Sequence, residues 1–209
     1  MNRVLVSRSR VLPALAIVLA VVGCAALTSA GYMNAKAALA QVLLERAWER
    51  VQSGDAQARP WPWADTVPVA RLHVPRLRID RIVLRGDSGR TLAFAPGWTE
   101  SSAAPATPGT SVLSAHRDTH FAFLRELVIG DPVTIQSATG TREYRVESLR
   151  VVDSRLQRID LSSGFDGVLL VTCWPFDALD ARGPLRYVVT AVALDAEADN
   201  GPALALTLH

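Results

Sequence analysis

The sequence predicts a mainly β domain, a closed or nearly closed barrel with short helices, carried behind an N-terminal membrane helix and a helical stalk. Three observations predict it. From Val69 onward, short β-branched runs are separated by turn residues. No series of crossover helices divides those runs, which argues against a doubly wound parallel sheet. The one long apolar stretch stands at the N-terminus, ahead of everything else. A chain of 209 residues suits one such domain plus appendages, and 49% hydrophobic residues excludes a disordered or collagen-like class. The net charge of +2 arises from residues scattered along the chain. With no basic cluster to track phosphates, no nucleic-acid partner is expected.

Residues 1–35 come first. Arg3, Arg8 and Arg10 precede an uncharged stretch over 11–35 whose most apolar part is 11–27. Crossing the hydrocarbon core takes about 20 helical residues, and a basic flank stays on the cytoplasmic side. A signal-anchor is therefore expected, with the remainder exported. A cleaved signal peptide and a lipoprotein signal, with Val21-Val22-Gly23-Cys24 as processing site, are the competing readings. The apolar length exceeds the ~7–15 residues of a signal-peptide core and favours the anchor. Cys24 is then a small lipid-facing or helix-facing residue.

Residues 36–52 read as a helical stalk, with Gln41, Glu45, Glu49 and Gln52 on one stripe and Leu39, Val42, Leu43, Ala47 and Val51 largely opposite. A helix packing on its own domain is expected ahead of one that docks a partner. Residues 53–68 contain Pro60-Trp61-Pro62-Trp63 and Asp65, which cannot continue a helix and suggest an extended strap. Both tryptophans are expected to pack on the domain, because each ring carries a large apolar area. A lid over the active groove is a further reading of the strap.

The domain itself spans 69–194. Candidate strands are 70–74, 81–84, 111–115, 132–136, 142–152, 167–173 and 185–194, with Gly140 at the turn of a hairpin between the fourth and fifth. A helix over 119–128 interrupts them, presenting Phe123, Leu124 and Leu127 to the core. Residues 195–209 form an acidic and then apolar tail with no derivable placement.

Export makes Cys173 the only cysteine in the exported part, without an intramolecular disulfide partner. A buried cysteine acting as a small hydrophobe is the plain alternative. The run Val168-Leu169-Leu170-Val171-Thr172-Cys173-Trp174-Pro175 reads as a buried strand that delivers a thiol to its exposed end. A thiolate needs an electropositive neighbour or a base. His116 is the leading candidate, placed at the end of the strand Ser111-Val112-Leu113-Ser114-Ala115, and imidazole suits transfer of a proton to or from an amine. His73 and His209 read as ordinary surface or core histidines. His116 and His120, four apart, could ligate a metal on a helix with Cys173 or Asp118 as a third ligand. That requires His116 to be helical, against the strand pattern before it, so no metal or other cofactor is expected. His120 is expected to be a supporting contact at the start of the helix. Arg186, thirteen residues after Cys173 in Gly183-Pro184-Leu185-Arg186-Tyr187-Val188-Val189, lies on a strand that can return beside the cysteine strand. Its permanent charge suits a carbonyl or an oxyanion. Arg182, in the connecting loop, is expected to be solvated.

A strand ending in Ala115-His116, another ending in Thr172-Cys173, and an arginine thirteen residues on resemble the sortase family. His116-Arg117-Asp118-Thr119-His120-Phe121 and Thr172-Cys173-Trp174-Pro175-Phe176-Asp177 resemble the class GN, Gram-negative type. The resemblance covers about 69–194, and the membrane helix, stalk and Trp-Pro-Trp strap are also similar to that class. It implies an eight-stranded barrel and a single-pass inner-membrane protein with its catalytic domain on the periplasmic side. It implies catalysis by Cys173, His116 and Arg186, with Ala115, His120, Thr172 and Trp174 supporting or binding substrate. The partner implied is an exported protein with a C-terminal sorting signal, transferred to an unidentified amine through a thioacyl intermediate. Two positions depart from the family, which often has glycine before the histidine and threonine four residues before the cysteine; here they are Ala115 and Leu169. Neither change removes a reacting atom. A hydrolytic cysteine endopeptidase and a non-catalytic, membrane-tethered binding domain are the other readings.

Overall fold

The computed structural model describes residues 8–161, 163–178, 183–195 and 206–208, without the side chains of 8–14, 30, 33, 34 and 206–208. Two compact units are present, Met1–Val42 and Leu43–His209. Helix α1 spans Arg8–Gln52. Cys24 is exposed on it. Among the described residues no helix is long and apolar enough to cross a membrane.

Strands β1 (Pro68–Val74), β2 (Ile79–Arg85), β3 (Gly97–Trp98), β4 (Thr110–Ser114), β5 (Pro132–Ser137), β6 (Thr141–Asp153), β8 (Gly167–Cys173) and β9 (Leu185–Ala193) close a barrel in the order β1-β2-β3-β4-β8-β9-β6-β5. Pairing of β1 with β5 seals it. Two neighbour pairs, β2 with β3 and β4 with β8, are parallel; the rest are antiparallel. Strand β7 (Gln157–Ile159) stands apart and pairs with β10 (Leu206–Leu208), which is where the described part of the tail lies. The eight-stranded, mainly β expectation holds. Each anticipated strand is present with ends shifted by at most two residues, and the hairpin closes where Ser137 N–H donates to Gly140 O at 2.8 Å. The two-residue β3, and β7 and β10, were not anticipated.

Strand alternation sorts side chains into two layers. Leu72, Val83, Leu113, Leu170, Val189 and Tyr144 are among those filling the barrel interior. On the outer face, Val112, Leu169 and Val188 pack with Phe165, flanked by Val152, Ile159 and Val171. A third cluster joins Leu44, Trp48 and Val51 of α1 to Ile82 and Leu84 of β2. The end of the stalk is thus part of the barrel domain. The buried stripe differs from the expected one: Leu44, Ala47, Trp48 and Val51 are buried, whereas Leu39 and Val42 are exposed. Trp48 sets the stripe, since the largest ring on the helix faces the apolar side of β2.

Two local expectations are corrected. Residues 119–128 form a turn and a short 3-10 helix, Ala122–Glu126, instead of an α-helix. Its hydrogen bonds run from Leu124 N–H to Phe121 O and from Leu127 N–H to Leu124 O. The cause lies just beyond. The Asp131 carboxylate accepts from Val128 N–H at 2.9 Å and pairs with Arg76, which also donates to Glu126 O, drawing the segment into extended backbone at Leu127. Phe123, Leu124 and Leu127 are nevertheless buried as anticipated.

The strap is not extended. Arg50 donates to Arg59 O, Ala64 N–H to Trp61 O and Thr66 Oγ1 to Arg85 O, folding 53–67 into successive turns. Trp61 packs edge-on against Phe94 with centroids 4.9 Å apart, but Trp63 is 82% exposed. The turn that ends at Ala64 packs one ring on Phe94, half-buried, and leaves the other in water.

Candidate active site

Three strands deliver the candidate residues to one end of the barrel. Strand β4 runs parallel to β8 with Ser114 beside Val171, and Ala115 N–H continues the ladder to Val171 O at 3.2 Å. His116 and Cys173 are each two residues past that last pair, so both emerge at the same rim. His116 is outside the strand, as expected of a strand end, and is exposed. Its carbonyl accepts from Phe121 N–H at 3.0 Å, closing the turn that follows.

Cys173 ends β8 and lies directly across from Arg186 of β9. Trp174 N–H donates to Leu185 O at 3.0 Å, so the next pair along carries the hydrogen bond and the Cys173–Arg186 pair does not. Side chains of such a non-hydrogen-bonded pair share a face and approach most closely, with Cα atoms about 4.5 Å apart. Cys173 has the parity of Leu169 and Val171, which places it on the outer face of the barrel. The apolar floor formed by Val112, Leu169, Val171 and Val188 is packed under Phe165 on the same outer face of β4, β8 and β9 as the thiol. Leu169 is fully buried in that floor, and Ala115 is buried at the rim.

The thiol and the Arg186 side chain are both half-buried. The guanidinium donates from Nη1 to Gly183 O at 2.7 Å and to Leu185 O at 2.9 Å. These backbone anchors hold a permanent charge at the start of β9. Arg182 lies outside the described residues.

Thr172 faces the interior, and its hydroxyl donates to Ala115 O at 2.7 Å, locking the last residue before the histidine to the last before the cysteine. Trp174 stacks on Tyr187 at 5.6 Å and meets Phe176 edge-on at 5.5 Å. Phe176 and Tyr187 rest on the interior core, and the Arg125 guanidinium lies 4.9 Å above the Phe176 ring. Phe176 and Tyr187 thus cap the interior core at the end of the barrel that carries Cys173. Phe176, Tyr187 and Arg125 were not singled out from sequence, although Tyr187 follows Arg186 and alternation alone puts it on the opposite face.

Arg117 was also missed. Named from sequence only as part of the motif after His116, it is 7% exposed and donates to Ala178 O at 2.7 Å, bracing the histidine turn against the cysteine loop.

His120 is half-buried beside this turn. Burial first, then the charges of Arg81 and His116, push its imidazole below the usual histidine range. It therefore favours the neutral form. Among the described residues, no cluster of three or more histidine, cysteine or acidic side chains is arranged to hold a metal. His73 is exposed, and His209 lies outside the described residues.

Comparison with known proteins is consistent with this geometry. Residues 72–194 match the model of the sortase domain family. Sortase D of Bacillus subtilis (strain 168) is 29% identical over 119 residues, which is 56% of this chain and 60% of that protein. The match thus spans less than two thirds of that relative. Among solved structures, sortase C-1 from Actinomyces oris is 28% identical with a TM-score of 0.51, covering 61% of this chain and 74% of the other. Sortase C1 from Streptococcus agalactiae is 25% identical with a TM-score of 0.51, covering 61% and 67%. The Clostridium perfringens Sortase D5 transpeptidase shares the fold at a TM-score of 0.57 and 19% identity, covering 75% and 99%.

Proposed function

The chain belongs to the sortase family, and from that premise we propose that it is a membrane-anchored cysteine transpeptidase of the class GN type. The observation that carries the reading is the pairing of Cys173 with Arg186 across β8 and β9, beside a histidine at the end of the parallel neighbour β4.

In this reaction the Cys173 thiolate attacks the scissile carbonyl of an exported protein's C-terminal sorting signal, laid along the outer face at the ends of β8 and β9. Arg186 holds the developing negative oxygen. His116 protonates the departing amine, leaving a thioacyl enzyme. The incoming amine then gives a proton to His116 as it displaces the sulfur. Ala115, Thr172, Trp174 and His120 support the geometry: Thr172 and Ala115 through their mutual hydrogen bond, Trp174 through its stack on Tyr187, His120 through the turn it shares with His116.

Class GN membership is supported by the motifs around His116 and Cys173. The apolar stretch over 11–27 behind Arg3, Arg8 and Arg10 supports an inner-membrane anchor with the barrel in the periplasm.

The test is to incubate the full chain in detergent with candidate exported proteins and seek a Cys173 thioester by mass spectrometry. A thioester that forms on the wild type, is absent from Cys173→Ala and yields an amine-extended product is the expected result. Water-only products under every amine tried would replace transfer with hydrolysis. No thiol labelling of the wild type, together with full cellular function of Cys173→Ala, would leave a binding domain in its place.

A further inference from the structure

A second recess opens on the other side of the histidine. Around the barrel, His116 of the β4 end has Cys173 and Arg186 on its β8–β9 side and β3 and β2 on the opposite side. Strand β2 runs parallel to β3, which is antiparallel to β4, so the start of β2 lies at the same rim as the end of β4. There a cleft of about 320 Å3 is lined by Ile79 and Arg81 of β2 and by Thr119, Phe123, Arg125 and Glu126 from the segment after His116. That volume falls at the small end of ligand pockets, which run about 300–1,000 Å3. Its connection to the histidine is short. The turn closed by His116 O and Phe121 N–H carries Thr119, a lining residue of the cleft, three residues after His116.

The charges in this cleft are unbalanced. Arg81 is half-buried and donates to Asp80 O at 2.8 Å; Arg125 donates to Ala122 O at 3.1 Å and lies over Phe176. Among the described residues neither guanidinium forms an ion pair, and Glu126 is the only acid lining the cleft. The cation–π contact and the backbone bonds hold the two guanidinium groups in place and leave donors unused. Fixed guanidinium groups of this kind recognise oxyanions.

We infer that this cleft is the acceptor site, and that the amine it admits carries an oxyanion, a carboxylate or a phosphate, which Arg81 and Arg125 hold while the amine reaches the thioester past His116. The inference rests on the transpeptidase reading. It divides the rim between two substrates: the sorting signal on the outer β8–β9 face, the acceptor on the β2 side, and His116 between them, able to serve the leaving amine from one and the attacking amine from the other. An acceptor held on the far side of the histidine approaches the thioester without displacing the acyl chain from the outer face.

The probes are ω-amino acids of three to eight carbons, the matching aminoalkyl phosphates, and the corresponding neutral ω-amino amides. Aminolysis of the wild-type thioacyl enzyme is measured for each, the amide of equal length serving as internal reference. At least one anionic amine is expected to react tenfold or more faster than its amide, and Arg81→Gln to bring that ratio near one while Arg81→Lys restores part of it. Preference for the phosphates alone names phosphate as the anion; preference for the carboxylates names the carboxylate. Equal rates for anionic and neutral amines across the whole series overturn the inference, as does a preference untouched by Arg81→Gln with Arg125→Gln. Binding of the same probes to Cys173→Ala, followed by NMR shifts of the Arg81 and Arg125 side chains, reads the cleft without chemistry. A wild type that forms no thioester while Cys173→Ala still binds the anionic amines defeats the transpeptidase reading and leaves the oxyanion cleft standing.

Discussion

Arg186 is tied to two carbonyls of its own strand start, so its charge is held in place before any substrate arrives. Pre-set charge of this kind costs no reorganisation during reaction, and losing one such donor lowers turnover by about 10²–10³-fold. Arg186→Ala is therefore expected to slow thioacyl formation by about that factor, and Arg186→Lys, which cannot reproduce the planar fork, to recover only part of it; stopped-flow or quenched mass analysis of the acyl enzyme measures both. Thr172 makes a different kind of contribution. Its hydroxyl satisfies the Ala115 carbonyl in a buried setting, and Thr172→Val leaves that oxygen without its partner. A loss of about 1–3 kcal/mol in urea unfolding is expected, with a slower reaction because the His116 turn is released. Cys173, His116 and Arg186 were legible as strand-end residues because each follows or sits in an apolar β-branched run. Arg117 was not, since nothing in a lone arginine after a histidine says that its guanidinium reaches a carbonyl 61 residues away.

At the scale of the strand, Gly167 decides how close β8 comes to β9. A Cβ built there would meet Ala191 O at 2.3 Å and the Phe165 ring at 2.6 Å. Backbone cannot yield as a flexible side chain does, so Gly167→Ala is expected to destabilise the barrel by at least the ~1–3 kcal/mol typical of overpacking, read as a lower thermal midpoint. Strands with several alternating apolar residues, such as β5 and β6, declared themselves in the sequence. A two-residue β3 offers too few positions for a period, and β7 is built from Gln157-Arg158-Ile159, which has no apolar alternation. The 3-10 helix after His116 was read as an α-helix because Phe123, Leu124 and Leu127 satisfy either spacing. What separates the two is the pull of Asp131 and Arg76 from beyond the segment, a tertiary effect. Trp63 was misread for a similar reason: composition measures how much a ring gains by burial, whereas the direction of a turn decides whether it is buried.

Across the whole molecule, a few ion pairs tie distant segments together. Arg142 joins β6 to Asp166 ahead of β8 and to Asp195 after β9, and Arg76 joins the turn after β1 to Asp131 before β5. The hydrogen bond from Arg76, then the one from Val128 N–H, holds the buried Asp131 carboxyl below the ordinary carboxylate range despite its desolvation. A depressed folded-state pKa adds stability above the unfolded value of about 4, and that stability is lost as the pH falls through the folded value. Acid unfolding of the wild type is therefore expected to steepen below about pH 4, and Asp131→Asn to unfold more easily at neutral pH with a flatter acid limb, as followed by circular dichroism. The closed barrel was foreseeable from the absence of crossover helices, but its order was not, because a parallel β4–β8 contact leaves no mark in either strand's composition.

That parallel contact has a consequence in time. Antiparallel neighbours such as β5 and β6 meet across a short hairpin, whereas Ala115 and Thr172 are 57 residues apart and meet only after β5, β6 and β7 have been threaded between them. Contacts of such long sequence separation form slowly, because the intervening loop must first be closed. Until they do, Cys173 has Arg186 across the β8–β9 pair but no histidine beside it. The rim that carries both His116 and Cys173 is thus complete only once that long-range pairing has formed.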